Sequence, residues 1–128
     1  MPSISAANAP HVEDHGPAID RHGDIAGHTV NFVTINQDAD LAPLLAGLPD
    51  GLCSCPHWGY VFAGSLTFRY PDGEETYRAG DAYVVPAGHT PTATAGSEFV
   101  QFSPAEPLAA VQAAMAAQME KMMQGSTS

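Results

Sequence analysis

Basic residues are scarce in this sequence: four Lys and Arg stand against fourteen Asp and Glu, which gives a net charge of −10 with neutral histidines. A surface with that charge repels phosphate backbones and anionic lipid headgroups. The chain also lacks the run of about 18 apolar residues that a membrane-spanning helix needs, and no basic and apolar leader pattern opens it. We therefore expect a cytoplasmic protein with no nucleic-acid partner and no membrane partner.

Cysteine occurs only twice, at Cys53 and Cys55. In an extended chain this spacing separates the two Cα atoms by about 6.6 Å, near the upper limit for a disulfide. A bond across so short a loop would also constrain the unfolded chain very little. We predict two reduced thiols, as is usual in the cytosol.

Short runs of apolar and β-branched residues, each bounded by Gly or Pro, fill the middle of the chain. "HTVNFVTI" at 28–35 is the first, and six more follow between residues 57 and 103. "YPDGEE" at 70–75 predicts a tight hairpin turn. Short strands at such close spacing are typical of an antiparallel sandwich or barrel, and 128 residues suffice for one domain.

The two ends of the chain differ from this middle. Residues 1–25 show no apolar periodicity, which predicts an extended or poorly ordered arm whose His11, His15 and His22 are solvated. The barrel would then occupy 26–103. Over 104–124 apolar residues recur every three or four positions, which predicts a helix capped by Ser103 and packed on the barrel or on a second subunit.

Four side chains suggest a metal site. Cys53, Cys55 and His57 alternate, so a strand running through them would present all three on one face. His89, in "PAGHTP" after another strand, has the chemistry of a further ligand. Thiolate and imidazole suit Fe, Zn, Cu or Ni rather than Mg or Ca. The alternative is that the cysteines are small buried hydrophobes and that Pro56 breaks the alternation.

The segment "HWGYVFAGSLTFRYPDGEETYRAGDAYVVPAGH" resembles the cupin superfamily. Gly64 matches the glycine that closes the first cupin motif, and Gly80, Pro86 and Gly88 match the second motif, G-x5-P-x-G. The resemblance covers residues 53 to about 102. It implies an all-β fold, a small antiparallel cupin-type β-barrel (jelly roll), here followed by a C-terminal α-helix.

The sequence departs from the usual cupin ligand pattern. Counting back from Gly64 puts His57 at the position of the motif's Glu and Cys53 at that of the second His of its H-x-H pair. His89 lies two residues before the position of the second motif's histidine. The resemblance therefore implies only His57 and Cys53 as substituted ligands, whereas Cys55 and His89 rest on strand parity and chemistry.

Two classes of function follow from these residues. The first is a metal-dependent small-molecule enzyme of oxygenase, isomerase or decarboxylase type, in which a divalent Fe, Zn, Cu or Ni ion keeps an open position for its ligand. The second is a non-catalytic ligand-binding or metal- and redox-sensing module, since thiolates beside histidine are oxidisable. We also expect a homodimer, because an exposed apolar helix face on so small a chain favours association. Homodimerisation is compatible with both functions.

Overall fold

The computed structural model describes residues 3–125 as two antiparallel sheets and a C-terminal helix. The strands are β1 (His11–Asp14), β2 (Ala18–Ile25), β3 (His28–Ile35), β4 (Ala39–Asp40), β5 (His57–Ala63), β6 (Ser65–Tyr70), β7 (Gly73–Arg78), β8 (Ala82–Val85), β9 (Thr90–Ala93) and β10 (Glu98–Pro104). Short 3-10 helices span Ala42–Leu45 and Pro49–Gly51, and α1 spans Ala105–Gly125. The larger sheet has the order β1-β2-β3-β10-β5-β8 and the smaller one β4-β9-β6-β7.

The two sheets pack face to face as a jelly roll and do not close into a continuous barrel. Alternation along β5 turns His57 and Val61 inward, whereas Tyr60 and Phe62 are exposed. Phe99 of β10 pairs with Val61 across the larger sheet and joins it in the core between the sheets. A second apolar cluster lies between α1 and the segment that leads into β5. The predicted all-β jelly roll with a C-terminal helix is thus confirmed.

The motif glycines occupy positions where other residues would be strained. Gly64, Gly80 and Gly88 all have positive φ, at +74°, +96° and +94°. Gly64 also lies against Ser97, whose Oγ accepts from the Ser65 N–H at 2.9 Å. A β-carbon at residue 64 would overlap Ser97, so this turn requires glycine for two independent reasons.

The N-terminal segment is more regular than the sequence indicates. Within residues 1–25, β1 and β2 form a hairpin and β2 pairs along its whole length with β3. Polar residues such as His11 and His22 fill the register positions on one face, so the apolar alternation that marks a strand is absent there. Backbone pairing fixes these strands, with Ile4 packed against Gly23 on the opposite face.

The helix α1 begins after a strand rather than after a capping serine. Ser103, the predicted N-cap, lies in β10 with its side chain fully buried, and its hydroxyl bonds to His57 instead. The first helical N–H, that of Ala105, donates to the Gly27 carbonyl at 3.0 Å. Leu108 and Val111 anchor the helix in the second apolar cluster. Within residues 3–125, neither α1 nor the 3-10 helices combine the length and apolarity of a membrane crossing.

Candidate metal centre

Three of the four candidate ligands meet where the chain enters β5. Cys53 forms an isolated antiparallel bridge with His89: its N–H donates to the His89 carbonyl, and Gly88 N–H donates to the Cys53 carbonyl, both at 2.8 Å. His57 is the first residue of β5. Main-chain hydrogen bonds alone therefore hold Cys53 beside the loop that carries His89.

The ligand atoms of Cys53, His57 and His89 all lie within 4.8 Å of one another. Cys53 Sγ is 3.6 Å from His57 Nε2, and the two imidazole centroids are 4.9 Å apart. The three side chains are buried, with exposed fractions of 5%, 4% and 0% respectively. A thiol and two imidazoles thus converge on one small volume that solvent barely reaches.

Each imidazole is oriented through its other ring nitrogen. His57 Nδ1 is 2.7 Å from Ser103 Oγ, and His89 Nδ1 is 2.7 Å from the Pro86 carbonyl. A carbonyl only accepts, so His89 Nδ1 carries the proton and Nε2 is left with a lone pair. That Nε2 is buried and without a hydrogen-bond partner among the described residues. Metal-ligating histidines are commonly oriented in this way, by a bond from the second nitrogen.

Burial also sets the protonation of these groups. It lowers the pKa of His57 to about 3, with His89 as a second cause, and it lowers the pKa of His89 against the opposing effect of the Pro86 carbonyl. Both rings are therefore neutral near pH 7, as a ligand must be. Burial raises the pKa of Cys53, so its thiol is protonated near pH 7 in the absence of a metal. Binding a metal would release that proton.

This donor set fits a divalent transition metal. Two neutral nitrogens and one sulfur are the ligands that Zn, Fe, Cu and Ni prefer, whereas Mg and Ca take oxygen. The unpartnered Nε2 of His89 is the decisive feature, because an orphaned buried acceptor carries a desolvation cost that a bound ion removes.

The structure keeps Cys55 apart from this group. The chain bends at Cys55 before β5 begins, so the alternation that would align Cys53, Cys55 and His57 does not hold. The Cys55 thiol is 3.4 Å from the Pro56 carbonyl, and it packs with Leu45 and Leu108 in the second apolar cluster, which Cys53 also borders. Burial, with Cys53 as a second cause, raises its pKa to about 11, so it is a neutral thiol at pH 7.

Two further features of the site lie outside the sequence predictions. Ser103 is 46 residues from His57 and reaches it through the pairing of β10 with β5. The sequence around Ser103 predicted only a helix cap. Aromatic rings border the imidazoles: Phe68 meets His89 edge-on at 5.1 Å between centroids, and Tyr70 does so at 6.4 Å. The sequence analysis placed these two residues in a strand-like run and assigned neither of them to a site.

Comparison with known proteins supports the fold. No family model and no curated protein matches the chain. The polyketide cyclase RemF from Streptomyces resistomycificus superposes with a TM-score of 0.57 at 14% identity, over 83% of this chain and 80% of that one. A protein of unknown function from Rhizobium leguminosarum gives 0.57 at 16% identity, over 80% of this chain and 95% of that one. The chain has the cupin fold.

An oxalate decarboxylase from Bacillus subtilis has the same fold, with a TM-score of 0.56 at 16% identity over 79% of this chain. The matched part is 28% of that enzyme, so this chain spans about a quarter of its length. Within the cupin fold, His57 and Cys53 came from the motif alignment and His89 from strand parity and chemistry. The structure brings these three together within 4.8 Å, and Cys55 is the candidate that is not part of the group.

Proposed function

We propose that this cupin-fold chain is a metalloprotein in which Cys53, His57 and His89 hold one divalent Fe, Zn, Cu or Ni ion, and that it is an enzyme acting on a small molecule. The observation that carries the proposal is the convergence of three buried ligand atoms within 4.8 Å, one of them an unpartnered imidazole nitrogen. Bound there, the ion would supply Lewis-acid or redox chemistry.

The number of ligands favours an enzyme over a closed structural site. Three protein ligands are typical of catalytic metal sites, whereas structural zinc sites use four. The thiol of Cys55 is not a member of this group and lies 3.4 Å from the Pro56 carbonyl. Oxygenase, isomerase and decarboxylase chemistry all suit an open site, and the last is the reaction named for the oxalate decarboxylases that share the fold.

The surrounding residues have definite tasks in this proposal. Ser103 and the Pro86 carbonyl fix the two imidazoles, so that their Nε2 atoms stay directed at the ion. Phe68 and Tyr70 border His89 and keep water from that side of the centre. Excluding water strengthens the electrostatic interactions of a metal site with its ligands.

A second function, a non-catalytic metal or redox sensor, is favoured by one observation. The three ligand residues are at most 5% exposed, so a substrate has little direct access. In a sensor, oxidation or metal loss at Cys53 would alter the bridge to His89 and hence the loop after β8.

The first test is the metal content of protein purified under reducing conditions without chelator. We expect about one equivalent per chain, and less than about a tenth of that in Cys53→Ala. Cys55→Ala is the matched control, because it removes the neighbouring thiol and leaves all three proposed ligand side chains in place. Equal metal in the wild type and in Cys53→Ala would contradict the site.

Cobalt substitution separates enzyme from sensor. An open position on bound Co²⁺ predicts a change in the visible absorption spectrum when an exogenous anion such as azide is added. A spectrum insensitive to azide indicates a closed site and favours the sensor.

Self-association and location complete the proposal. Tyr60, Phe62 and Val84 form an exposed apolar patch on the outer face of β5 and β8, with Val84 78% exposed. We expect homodimers that cover this patch, which sedimentation of Val84→Lys against the wild type would test. The two unpaired, buried thiols agree with a cytoplasmic location.

A further inference from the structure

A carboxylate on the β6–β7 hairpin belongs to the inner face of the smaller sheet. Glu75 pairs with Phe68 in the strand register, and Tyr77 pairs with Leu66. Phe68 and Leu66 are buried in the core between the sheets, and cross-strand partners project to the same face. Glu75 and Tyr77 therefore face the larger sheet. The proposed metal function assigns neither of them a task.

The positive charges of this hairpin are on its other face. Arg69 pairs with Glu74 and binds Asp40, and Arg78 pairs with Ser65. These residues alternate with the inner ones along the two strands, so they face away from the core. Among the ion pairs of residues 3–125, none involves Glu75. Its charge is thus uncompensated on the inner face.

Glu75 is exposed although it belongs to the inner face, and Tyr70 and Tyr77 near it are half-buried. The space between the sheets is therefore open to solvent at this end of β7. Deeper in, the ring of Tyr77 stacks on that of Tyr83 from the larger sheet, with 5.4 Å between centroids. We call Tyr70, Glu75 and Tyr77 the mouth of the jelly roll.

Tyr70 links the mouth to the proposed metal centre. Its ring meets that of His89 edge-on, with 6.4 Å between centroids. Burial raises the pKa of Tyr70, and the nearby Glu75 carboxylate raises it further, so Tyr70 neighbours both groups. Phe68, the other ring against His89, is buried. Of the two rings that border His89, Tyr70 is thus the one that solvent reaches.

The Glu75 carboxylate keeps an oxygen for a ligand. The Tyr77 hydroxyl donates to Oε2, and this is the side-chain hydrogen bond that Glu75 makes within residues 3–125. Burial raises the pKa of Tyr77 to about 12, with the bond to Glu75 as the next cause, so the phenol keeps its proton. The bond holds the carboxylate in place and leaves Oε1 as an acceptor.

A carboxylate beside tyrosine rings is suited to an organic cation. An ammonium group brings three donors to the carboxylate, and the faces of tyrosine rings attract cations. An anion would meet the charge of Glu75 with no arginine of the hairpin on that face. A bare metal ion is not favoured at the mouth, because the three-ligand group among residues 3–125 is the one at Cys53.

We infer that Glu75 determines the specificity of the proposed metal site, by binding the ammonium group of a small molecule whose other end lies at the ion. The class of ligand is a small amine that also carries a metal-binding group, such as a carboxylate, hydroxyl or carbonyl. It reaches the ion past the Tyr70 ring. This inference rests on the proposed function, because it requires an ion with an open position.

Hydroxamates that differ in the charge of their far end test this inference on the cobalt-loaded full chain. The probes are 4-aminobutanohydroxamate, its neutral isostere pentanohydroxamate, and the anionic monohydroxamate of succinic acid. Their hydroxamate oxygens bind the ion, so the visible spectrum of Co²⁺ gives the Kd of each. We expect the cationic probe to bind about fivefold more tightly than the neutral one, the upper range for an exposed ion pair. The anionic probe should bind most weakly.

Glu75→Gln and Glu74→Gln form a matched pair of variants. Each removes one negative charge, at adjacent exposed positions on opposite faces of β7. In Glu75→Gln we expect the cationic and neutral probes to bind within about twofold of each other, since the ion pair is lost. Its amide oxygen still accepts from Tyr77, so the mouth keeps its shape. Glu74→Gln should retain the preference of the wild type.

The outcomes separate this inference from the metal site itself. Equal affinities of the three probes for the wild type would overturn the inference and leave the metal centre standing. A preference that survives in Glu75→Gln, or that both variants lose equally, would do the same. If the protein takes up no cobalt, or if none of the probes changes the cobalt spectrum, the proposed open metal site fails and the inference fails with it.

Discussion

Two pairs of histidines in this molecule have nearly the same spacing and different surroundings. The rings of His57 and His89 are 4.9 Å apart, and those of His11 and His22 are 5.2 Å apart. In the first pair the second ring nitrogens bond an hydroxyl and a backbone carbonyl. In the second pair, carboxylate oxygens lie 3.8 and 3.6 Å from the two nitrogens of His22.

The proximity of two imidazoles therefore does not by itself define a metal site. At the first pair, burial keeps both rings neutral, and the Cys53 thiol lies within 4.8 Å as a possible third ligand. At the second pair, the carboxylates of Glu13 and Asp20 flank His22, and His11 is exposed. The groups around each pair, rather than the distance between its rings, therefore mark the first pair as the candidate metal site.

Removing one imidazole from each pair is the strongest test of this comparison. His57→Ala removes a ligand, whereas His22→Ala leaves the centre intact. A four-ligand structural zinc site contributes about 10–16 kcal/mol, or roughly 2.5–4 kcal/mol per ligand if shared equally. We expect the zinc affinity, measured by competition with a chromogenic chelator, to fall about 100- to 1000-fold in His57→Ala and less than about twofold in His22→Ala. Equal losses in the two variants would erase the distinction between the pairs.

Much of the fold and of the candidate metal centre could be predicted from the sequence, but not all of it. Gly64, Gly80 and Gly88 mark turns that require positive φ, so the cupin motif and the jelly roll could be predicted from local signals. Cys53 and His57 followed from the same motif. The absence of Cys55 from the group could not be predicted, because it depends on the bend at Cys55 before β5 begins.

The N-terminal strands and Ser103 show a different limit. Register brings His11 beside His22 and Ser103 beside His57, through pairings between residues 11 and 46 positions apart. The N-terminal strands carry no apolar period in the local sequence, and the β5 and β10 runs predict strands without predicting which strands pair. Long-range strand pairing is therefore what the sequence did not predict, and the candidate metal centre depends on it.

A smaller effect is expected from the residue that orients His57. Ser103→Ala removes the hydroxyl 2.7 Å from His57 Nδ1 while leaving all three ligands in place. Loss of such a partner typically costs 10–100-fold in metal affinity. The exposed Ser54, beside Cys53, supplies the control variant Ser54→Ala. The same chelator competition applies, and an unchanged affinity in Ser103→Ala would show that packing alone orients the ring.

The smallest effect concerns the stability of the metal-free protein at acid pH. Burial and the neighbouring His89 lower the pKa of His57 to about 3, whereas an unfolded chain has an ordinary histidine pKa of about 6.5. The unfolded state then takes up a proton that the folded state refuses. The stability from neutral His57 is complete above pH 6.5 and is lost as the pH falls from there toward 3.

Between pH 7.5 and 5.5 this linkage costs about 1.4 kcal/mol for His57 alone. Urea unfolding of the chelator-treated protein at the two pH values measures it, with His57→Gln as the variant that lacks the titrating ring. We expect the wild type to lose about 1.4 kcal/mol more than His57→Gln over this interval. The same loss in both would mean that His57 is protonated as easily in the folded protein as in the unfolded chain. Its ring would then lack the neutral, ligand-ready state that separates the pair at His57 and His89 from the pair at His11 and His22.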